Sequence, residues 1–226
     1  NEMSKKLCDP SHNSKKKDFE QIKKQLKFSN FKNSIIALDV NEFKKNIKKT
    51  NSKNEMVTFN QMSNMSNIHK SLLVAKSSSD DLVYLVEDDY LHKEDSINEM
   101  ISTYERISSQ LKKELILCPA DYPYLYTKID STNIFLGSNY HWRKINESLC
   151  TFLTSKVLIE KHWEKFISMC QFENYPFEKP LHDIYDTEYC LSPMPSLAVH
   201  FTNVNSIFGL SPNIDWKKIW ENNKNY

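Results

Sequence analysis

The sequence predicts an α/β fold, one domain in which a mainly parallel mixed sheet is flanked by helices. Three observations carry that expectation. Apolar runs of strand length alternate with amphipathic segments of helical spacing over most of the 226 residues. The run 82–86 (L-V-Y-L-V) is apolar without alternation, the pattern of a strand covered on both faces. A chain of this length with 39% hydrophobic residues can bury one substantial core.

The elements follow in order. Residues 1–27 are polar and lysine-rich, with Cys8-Asp9-Pro10 as a turn signal. Phe19, Ile22 and Leu26 stand at helical spacing and predict a short helix over 18–26. The lysine run 15–17 reads as a solvated face rather than a binding patch. A buried strand is expected over 34–40 (S-I-I-A-L-D-V), reaching Asp39, then a helix over 41–49 and a strand over 56–60. Ile68, Leu72 and Ala75 share one side of a helix over 67–76. The 82–86 strand comes next. Ile97, Met100, Ile101, Tyr104 and Ile107 form the stripe of a helix over 96–113, capped by Asp95 or Ser96. Strands are expected over 114–118, 133–136, 148–153 and 195–201, and helices over 155–169 and 182–189. A Pro- and aromatic-rich loop occupies 172–180, and 215–221 is a terminal amphipathic turn.

Composition excludes several function classes. Lys plus Arg is 30 against 29 Asp plus Glu, so bulk charge gives no attraction to nucleic acid. The five cysteines form no C-x-x-C pair, which points to free thiols in a reducing cytoplasm. No apolar run approaches the ~20 residues of a membrane span, and no signal-peptide pattern is present. The first residue is Asn1 rather than Met, so the chain reads as an excised domain or a trimmed chain, with room for adjoining domains. The only glycines are Gly137 and Gly209, which rules out a G-x-G-x-x-G fingerprint or a P-loop. Any nucleotide diphosphate must then be held by a metal and side chains.

The 82–86 strand runs straight into Glu87, Asp88 and Asp89. The carboxyl ends of strands are where open α/β sheets put their ligands. Adjacent carboxylates repel, and a divalent cation with hard oxygen ligands offsets that repulsion. A solvated acidic turn is the alternative reading of the same three residues.

The order of blocks resembles GT-A fold glycosyltransferases with an E-D-D metal motif. It is similar in particular to a group of bacterial and large-virus glycosyltransferases. The blocks are D-D-L-V-Y-L-V-E-D-D-Y-L-H, C-P-A-D-Y-P-Y-L-Y, I-F-L-G-S-N-Y-H-W-R with S-L-C-T-F, and P-S-L-A-V-H followed by L-S-P-N-I-D-W. They span about 34–216. The group's Ser-Thr-Thr before the T-F strand is replaced here by Glu147-Ser148-Leu149-Cys150. The resemblance implies a GT-A-like, Rossmann-like domain that moves a sugar from a nucleotide-sugar donor to a glycan or lipid-linked acceptor, using Mn2+ or Mg2+. It implies Asp89 as metal ligand, Asp88 by the ribose or a metal-bound water, and Glu87 near the donor sugar. His200 matches the histidine that completes the metal shell in this fold; on the residues alone it is an ordinary histidine at a strand end. Asp39 and Asp121 join the donor-binding set, Asp121 within a D-Y-P that reads equally as a structural turn.

Other residues have readings of their own. Trp142 could stack on a sugar or sit in the core, and Arg143 could pair with phosphate. Tyr122, Tyr124 and Tyr126 could contact sugar or line one face of an extended edge. An inverting transfer needs a general base. Asp183 is the candidate, because it is expected to open the 182–189 helix, where the helix dipole favours a carboxylate; a plain helix cap is the alternative. Two rival functions stay open: a metal-dependent sugar nucleotidyltransferase, and a non-catalytic interaction domain with the same fold.

Overall fold

The computed structural model describes residues 59–87, 89–171, 178–201, 207, 209 and 214–223. The elements expected over 18–26, 34–40 and 41–49 lie outside the described residues, and so do Asp39 and Asp88. The strands are β1 (Leu82–Leu85), β2 (Tyr90–His92), β3 (Leu115–Leu117), β4 (Ile134–Leu136), β5 (His141–Ile145), β6 (Phe152–Ser155), β7 (Tyr189–Met194) and β8 (Ala198–His200). The helices are α1 (Phe59–Ser78), α2 (Ser96–Leu111), α3 (Lys156–Lys161), α4 (Trp163–Ser168), α5 (Lys179–Tyr185) and α6 (Trp216–Asn223), with a 3-10 turn over Pro123–Tyr126.

The architecture is α/β, with a six-stranded sheet in the order β1-β6-β3-β7-β5-β4 and a separate β2-β8 ribbon. The sheet is mixed but mostly antiparallel, which corrects the expectation of a mainly parallel one. β6 lies between β1 and β3 and is antiparallel to both. The β4–β5 hairpin is added antiparallel to β7. Among the described strands, β3 and β7 are the parallel pair, from Leu115↔Tyr189 to Leu117↔Leu191. Uninterrupted apolar runs report burial on both faces, not strand direction, so the misreading has a plain cause.

β1 packs on both faces, Val83 and Leu85 on one cluster and Leu82 and Tyr84 on another, and β3 is buried on both faces as well. Leu115 and Leu117 of β3 pack with Met100, Tyr104 and Ile107 of α2, together with Trp142, Leu153 and Leu191. Ile116 points the other way, into a core with Leu72 of α1, Leu158 of α3, Phe166 of α4 and Leu181 and Ile184 of α5. Successive strand residues thus feed opposite layers. Ile97, Met100, Tyr104 and Ile107 of α2 face the core as their spacing predicts, while Ile101 is only partly buried and outside that cluster, and neither expected cap works as one. Asp95 makes no side-chain cap bond, and Ser96 Oγ donates to the carbonyls of Lys93 at 2.7 Å and Leu197 at 2.8 Å. Ser96 therefore fastens α2 to the β7–β8 connection.

Several boundaries shift. Phe59 and Asn60, expected in a strand, begin α1. The 155–169 helix is broken at His162 into α3 and α4. α5 starts at Lys179, ahead of the expected 182, and Tyr189 already belongs to β7. β5 (H-W-R-K-I) and β7 (Y-C-L-S-P-M) are strands that the apolar pattern does not announce, because each carries polar residues or proline.

A buried carboxylate fixes the β4–β5 turn. Glu99 of α2 is 2% exposed. Its Oε1 accepts from Thr103 Oγ1 (2.9 Å), Ser138 N (3.1 Å) and Trp142 Nε1 (3.3 Å). Its Oε2 accepts from Asn139 N (2.9 Å) and Asn139 Nδ2 (3.0 Å). Beside it, a Cβ on Gly137 would come within 2.4 Å of Trp142 Nε1 and 2.6 Å of Thr103 Oγ1. The backbone approaches too closely there for any side chain. Among the described residues no helix is long and apolar enough to cross a membrane.

Candidate functional site

β1 and β3 are both antiparallel to β6, so they point the same way, and β7 is parallel to β3. Their carboxyl ends share one edge of the sheet. Glu87 follows β1 there, and its N–H donates to Thr151 Oγ1 at 3.0 Å, just ahead of β6. The Thr151 hydroxyl reaches Glu87 Oε2 at 3.5 Å.

The chain then turns through Asp89 into β2. In the ribbon Tyr90 pairs with His200, and Phe201 N–H donates to the Asp89 carbonyl at 2.8 Å. That register brings His200 Nε2 to 2.9 Å from Asp89 Oδ2, between residues 111 apart in sequence. The His200 side chain is 9% exposed and that of Asp89 is 28% exposed. The Tyr90 ring stacks on the imidazole, with centroids 4.8 Å apart and planes 11° apart. The two proposed metal ligands are therefore adjacent. A carboxylate and an imidazole are a short protein donor set, and among the described residues no three His, Cys, Asp or Glu side chains are grouped for a metal. Such a set suits an ion that keeps waters and takes substrate phosphates as ligands, which is how Mg2+ is commonly held. The pair fits a metal of that kind.

The ribbon is backed by buried polar aromatics. Tyr90 OH is hydrogen-bonded to Tyr122 OH. Burial, with the charge of Glu87 next, holds the Tyr90 phenol well above its ordinary pKa. His92 Nε2 lies 2.5 Å from Tyr84 OH. Burial pushes the His92 imidazole down to about 4, against a smaller opposing effect of a hydrogen bond to the Tyr90 backbone. The unfolded chain then takes up a proton that the folded chain refuses. Stability is expected to fall as pH drops from about 6.5 towards 4, by up to roughly 3 kcal/mol from this residue. Urea melts across that range, on the parent chain and on His92→Gln, check it: the variant's curve should be flatter. Parallel curves would show that His92 does not contribute.

Asp121, beyond β3, is 2% exposed. Its Oδ1 accepts from Arg143 Nη2 at 2.7 Å, its Oδ2 accepts from Tyr126 OH, and its N–H donates to Ser196 Oγ at 2.8 Å. Burial raises its pKa, against the lowering effects of Tyr126 and Arg143. Arg143 is thus committed to a carboxylate. Trp142 is core, with 0% exposure. The tyrosines do not line an extended edge: Tyr122 and Tyr124 stack on each other at 5.5 Å, and Tyr126 ends the 3-10 turn.

Asp183 is not at a helix start. It is the fifth residue of α5, half exposed, with its Oδ1 2.8 Å from Lys179 Nζ. Lys179, above all through that hydrogen bond, holds the carboxyl below its usual range. Its neighbour His182 turns towards the strand edge instead, with Nε2 2.9 Å from the Ser148 carbonyl. Thr151 and His182 are the contacts that the sequence reading missed. Thr151 lies inside the S-L-C-T-F block, but its bond to Glu87 needs the β1–β6 pairing. No protein-family model, curated protein or solved structure matches the chain.

Proposed function

We propose that this protein is a metal-dependent glycosyltransferase that takes its sugar from a nucleotide-sugar donor. The observation that carries the reading is the meeting of Asp89 and His200 at 2.9 Å where the strands end. Asp89 and His200 would hold Mn2+ or Mg2+, which when bound stabilises the charge that builds on a departing diphosphate. Glu87, fixed by Thr151, lies at the same edge and can accept hydrogen bonds from donor hydroxyls. Tyr90 keeps the His200 ring in plane by stacking on it. The acceptor, a glycan or a lipid-linked sugar, would approach along this edge.

Asp183 is left out of the base role. A carboxylate whose pKa is lowered by a lysine is a weaker proton acceptor. Asp183→Asn is expected to keep transfer within about threefold of the parent, against the ~10²–10⁴-fold loss that follows removal of a general base. Product formation on the mutant decides it, and a loss in that larger range would return Asp183 to the mechanism.

Thermal unfolding with UDP, GDP or dTDP, each with and without Mn2+, tests the function. At about a hundred times Kd, binding stabilises by roughly 2.7 kcal/mol, or about 5–10 °C for a chain of this size. The shift should need nucleotide and metal together. No shift with any of the three nucleotides would leave a non-catalytic domain as the better reading.

A further inference from the structure

We propose that β4 is a dimer edge: two copies of this chain pair their β4 strands antiparallel about a two-fold axis at Phe135. The two six-stranded sheets then run on as one of twelve. The inference stands apart from the transferase reading, and four observations support it.

The first is the main chain. β4 ends the sheet, with β5 on one side and no described strand on the other. The Asn133 carbonyl accepts from Lys144 N–H and the Tyr140 carbonyl from Gly137 N–H, both at 2.9 Å. These bonds sit at the two ends of the register that pairs Phe135 with Trp142. Bonding along an antiparallel ladder alternates, so residues 133, 135 and 137 face β5. The N–H and C=O groups of Ile134 and Leu136 therefore point out of the open edge.

The second is the side chains. Ile134 is 61% exposed and Leu136 is 55% exposed, and the two share one face of the strand. Phe135 points to the other face, where its ring meets Tyr189 edge-on at 6.1 Å. With Tyr126 and Ile129, just before β4 in the chain, Ile134 and Leu136 make four of the seven exposed large hydrophobic residues among those described. The opposite edge is built differently, since β1 packs its side chains on both faces. Sheet edges that stay single are blunted by charges, proline or bulges. β4 is I-F-L and carries neither charge nor proline.

The third is symmetry, which selects a second copy as the occupant. Antiparallel pairing about Phe135 sets Ile134 against Leu136 of the second copy, and the axis repeats that pair. Both residues face outward, so each pair exchanges two hydrogen bonds. A two-fold axis also brings each nearby side chain close to its own copy, where a charge would repel itself. The residues at this axis are all neutral and apolar.

The fourth is area. A strand pair this short covers less than the ~1,200–2,000 Å² of a standard interface. The dimer is therefore weak and concentration-dependent, with Kd on the order of 10–100 µM. β1, which leads to Glu87 and Asp89, lies at the far edge of the sheet, so the pairing leaves that end open.

Sedimentation equilibrium on the full chain, from about 1 to about 300 µM, tests the proposal. The mass should rise from the 26.7 kDa of one chain and level off at twice that value. Ile134→Lys and Leu136→Lys, both at exposed positions, should keep the parental melting temperature and weaken the dimer at least roughly tenfold. Cysteine substitution reads the register. Phe135→Cys would face its own copy with Cα atoms about 4.5 Å apart, within disulfide reach. Ile134→Cys would meet its copy diagonally at about 8 Å, out of reach. Under mild oxidation Phe135→Cys should give a covalent dimer above the parental background, and Ile134→Cys should not. A mass that never leaves that of one chain would overturn the proposal and leave the edge to a strand of another protein. Growth past twice the mass, a dimer that both lysine variants retain, or Ile134→Cys cross-linking as readily as Phe135→Cys would also overturn it.

Discussion

Replacing Asp89 with alanine is expected to abolish the Mn2+-dependent part of nucleotide binding and to leave the fold close to parental stability. The two halves of that result have separate causes. Asp89 is partly exposed, and its carboxylate is hydrogen-bonded to His200 Nε2. Losing a hydrogen bond of that kind costs about 1 kcal/mol. The main-chain carbonyl of residue 89 still accepts from Phe201 N–H, so the ribbon register survives. A metal held by Asp89 and His200 would, by contrast, lose its carboxylate ligand. Sugar transfer should fall by at least roughly 10²–10³-fold, the range seen when one group stabilising transition-state charge is removed. His200→Ala should weaken the same metal-dependent shift less, because the carboxylate remains. Paired melts of parent, Asp89→Ala and His200→Ala with UDP and Mn2+ give the answer. A parental Mn2+ response in Asp89→Ala would remove Asp89 as a ligand.

The largest stability loss is expected at Glu99. Alanine there strips the acceptor from Asn139 N and Trp142 Nε1 together and leaves Ser138 N with Thr103 Oγ1 at 3.3 Å. Each orphaned donor that stays dry costs about 1–3 kcal/mol, and water entering the space recovers part of that. A net loss of about 3–5 kcal/mol is expected, or roughly 10 °C or more in Tm. Glu99→Gln should fall between parent and alanine, since it keeps one acceptor oxygen but turns an NH2 towards donors. A Glu99→Ala chain within about 1 kcal/mol of the parent would mean that the β4–β5 turn is held by Gly137 and Trp142 packing alone.

Much of this arrangement is legible in the amino acids, and the gaps have physical causes. The alternation of elements and the α2 stripe follow from periodicity, because burial leaves its mark residue by residue. Strand direction leaves no such mark. β6 inserts between β1 and β3 whatever their composition, and no residue of F-L-T-S announces that. The resemblance implies that Asp89 and His200 stand together, and the ribbon register brings the two side chains within 2.9 Å. Asp183 does not open its helix, because the boundary lies three residues earlier than the sequence pattern places it. Lys179-Pro180 opens α5, with proline in the first turn, where a missing N–H costs nothing. The ion pair of Arg143 with Asp121 joins a strand to a distant loop and cannot be seen along the chain, where the arginine reads as able to pair with phosphate.

The β2–β8 ribbon has a further consequence. One of its faces, through Tyr90 and Ala198, belongs to the main core. The other, through Leu91 and Val199, is covered by Ile219 and the flanking Trp216 and Trp220 of α6. Asn223 Nδ2 adds a bond to the His92 carbonyl at 3.3 Å. α6 is thus a clasp on the strand pair that carries both Asp89 and His200. A ribbon of three residue pairs can open without melting the six-stranded sheet. An excursion that lifts α6 would expose Leu91 and Val199 and leave the strand pair with less packing to hold it closed. The apparent affinity for any ligand that needs the Asp89–His200 pair closed would then be the intrinsic affinity multiplied by the closed fraction. Trp216 and Trp220, on the far face of the ribbon, would help to set that fraction, and the amide exchange rates of Leu91 and Val199 would report it.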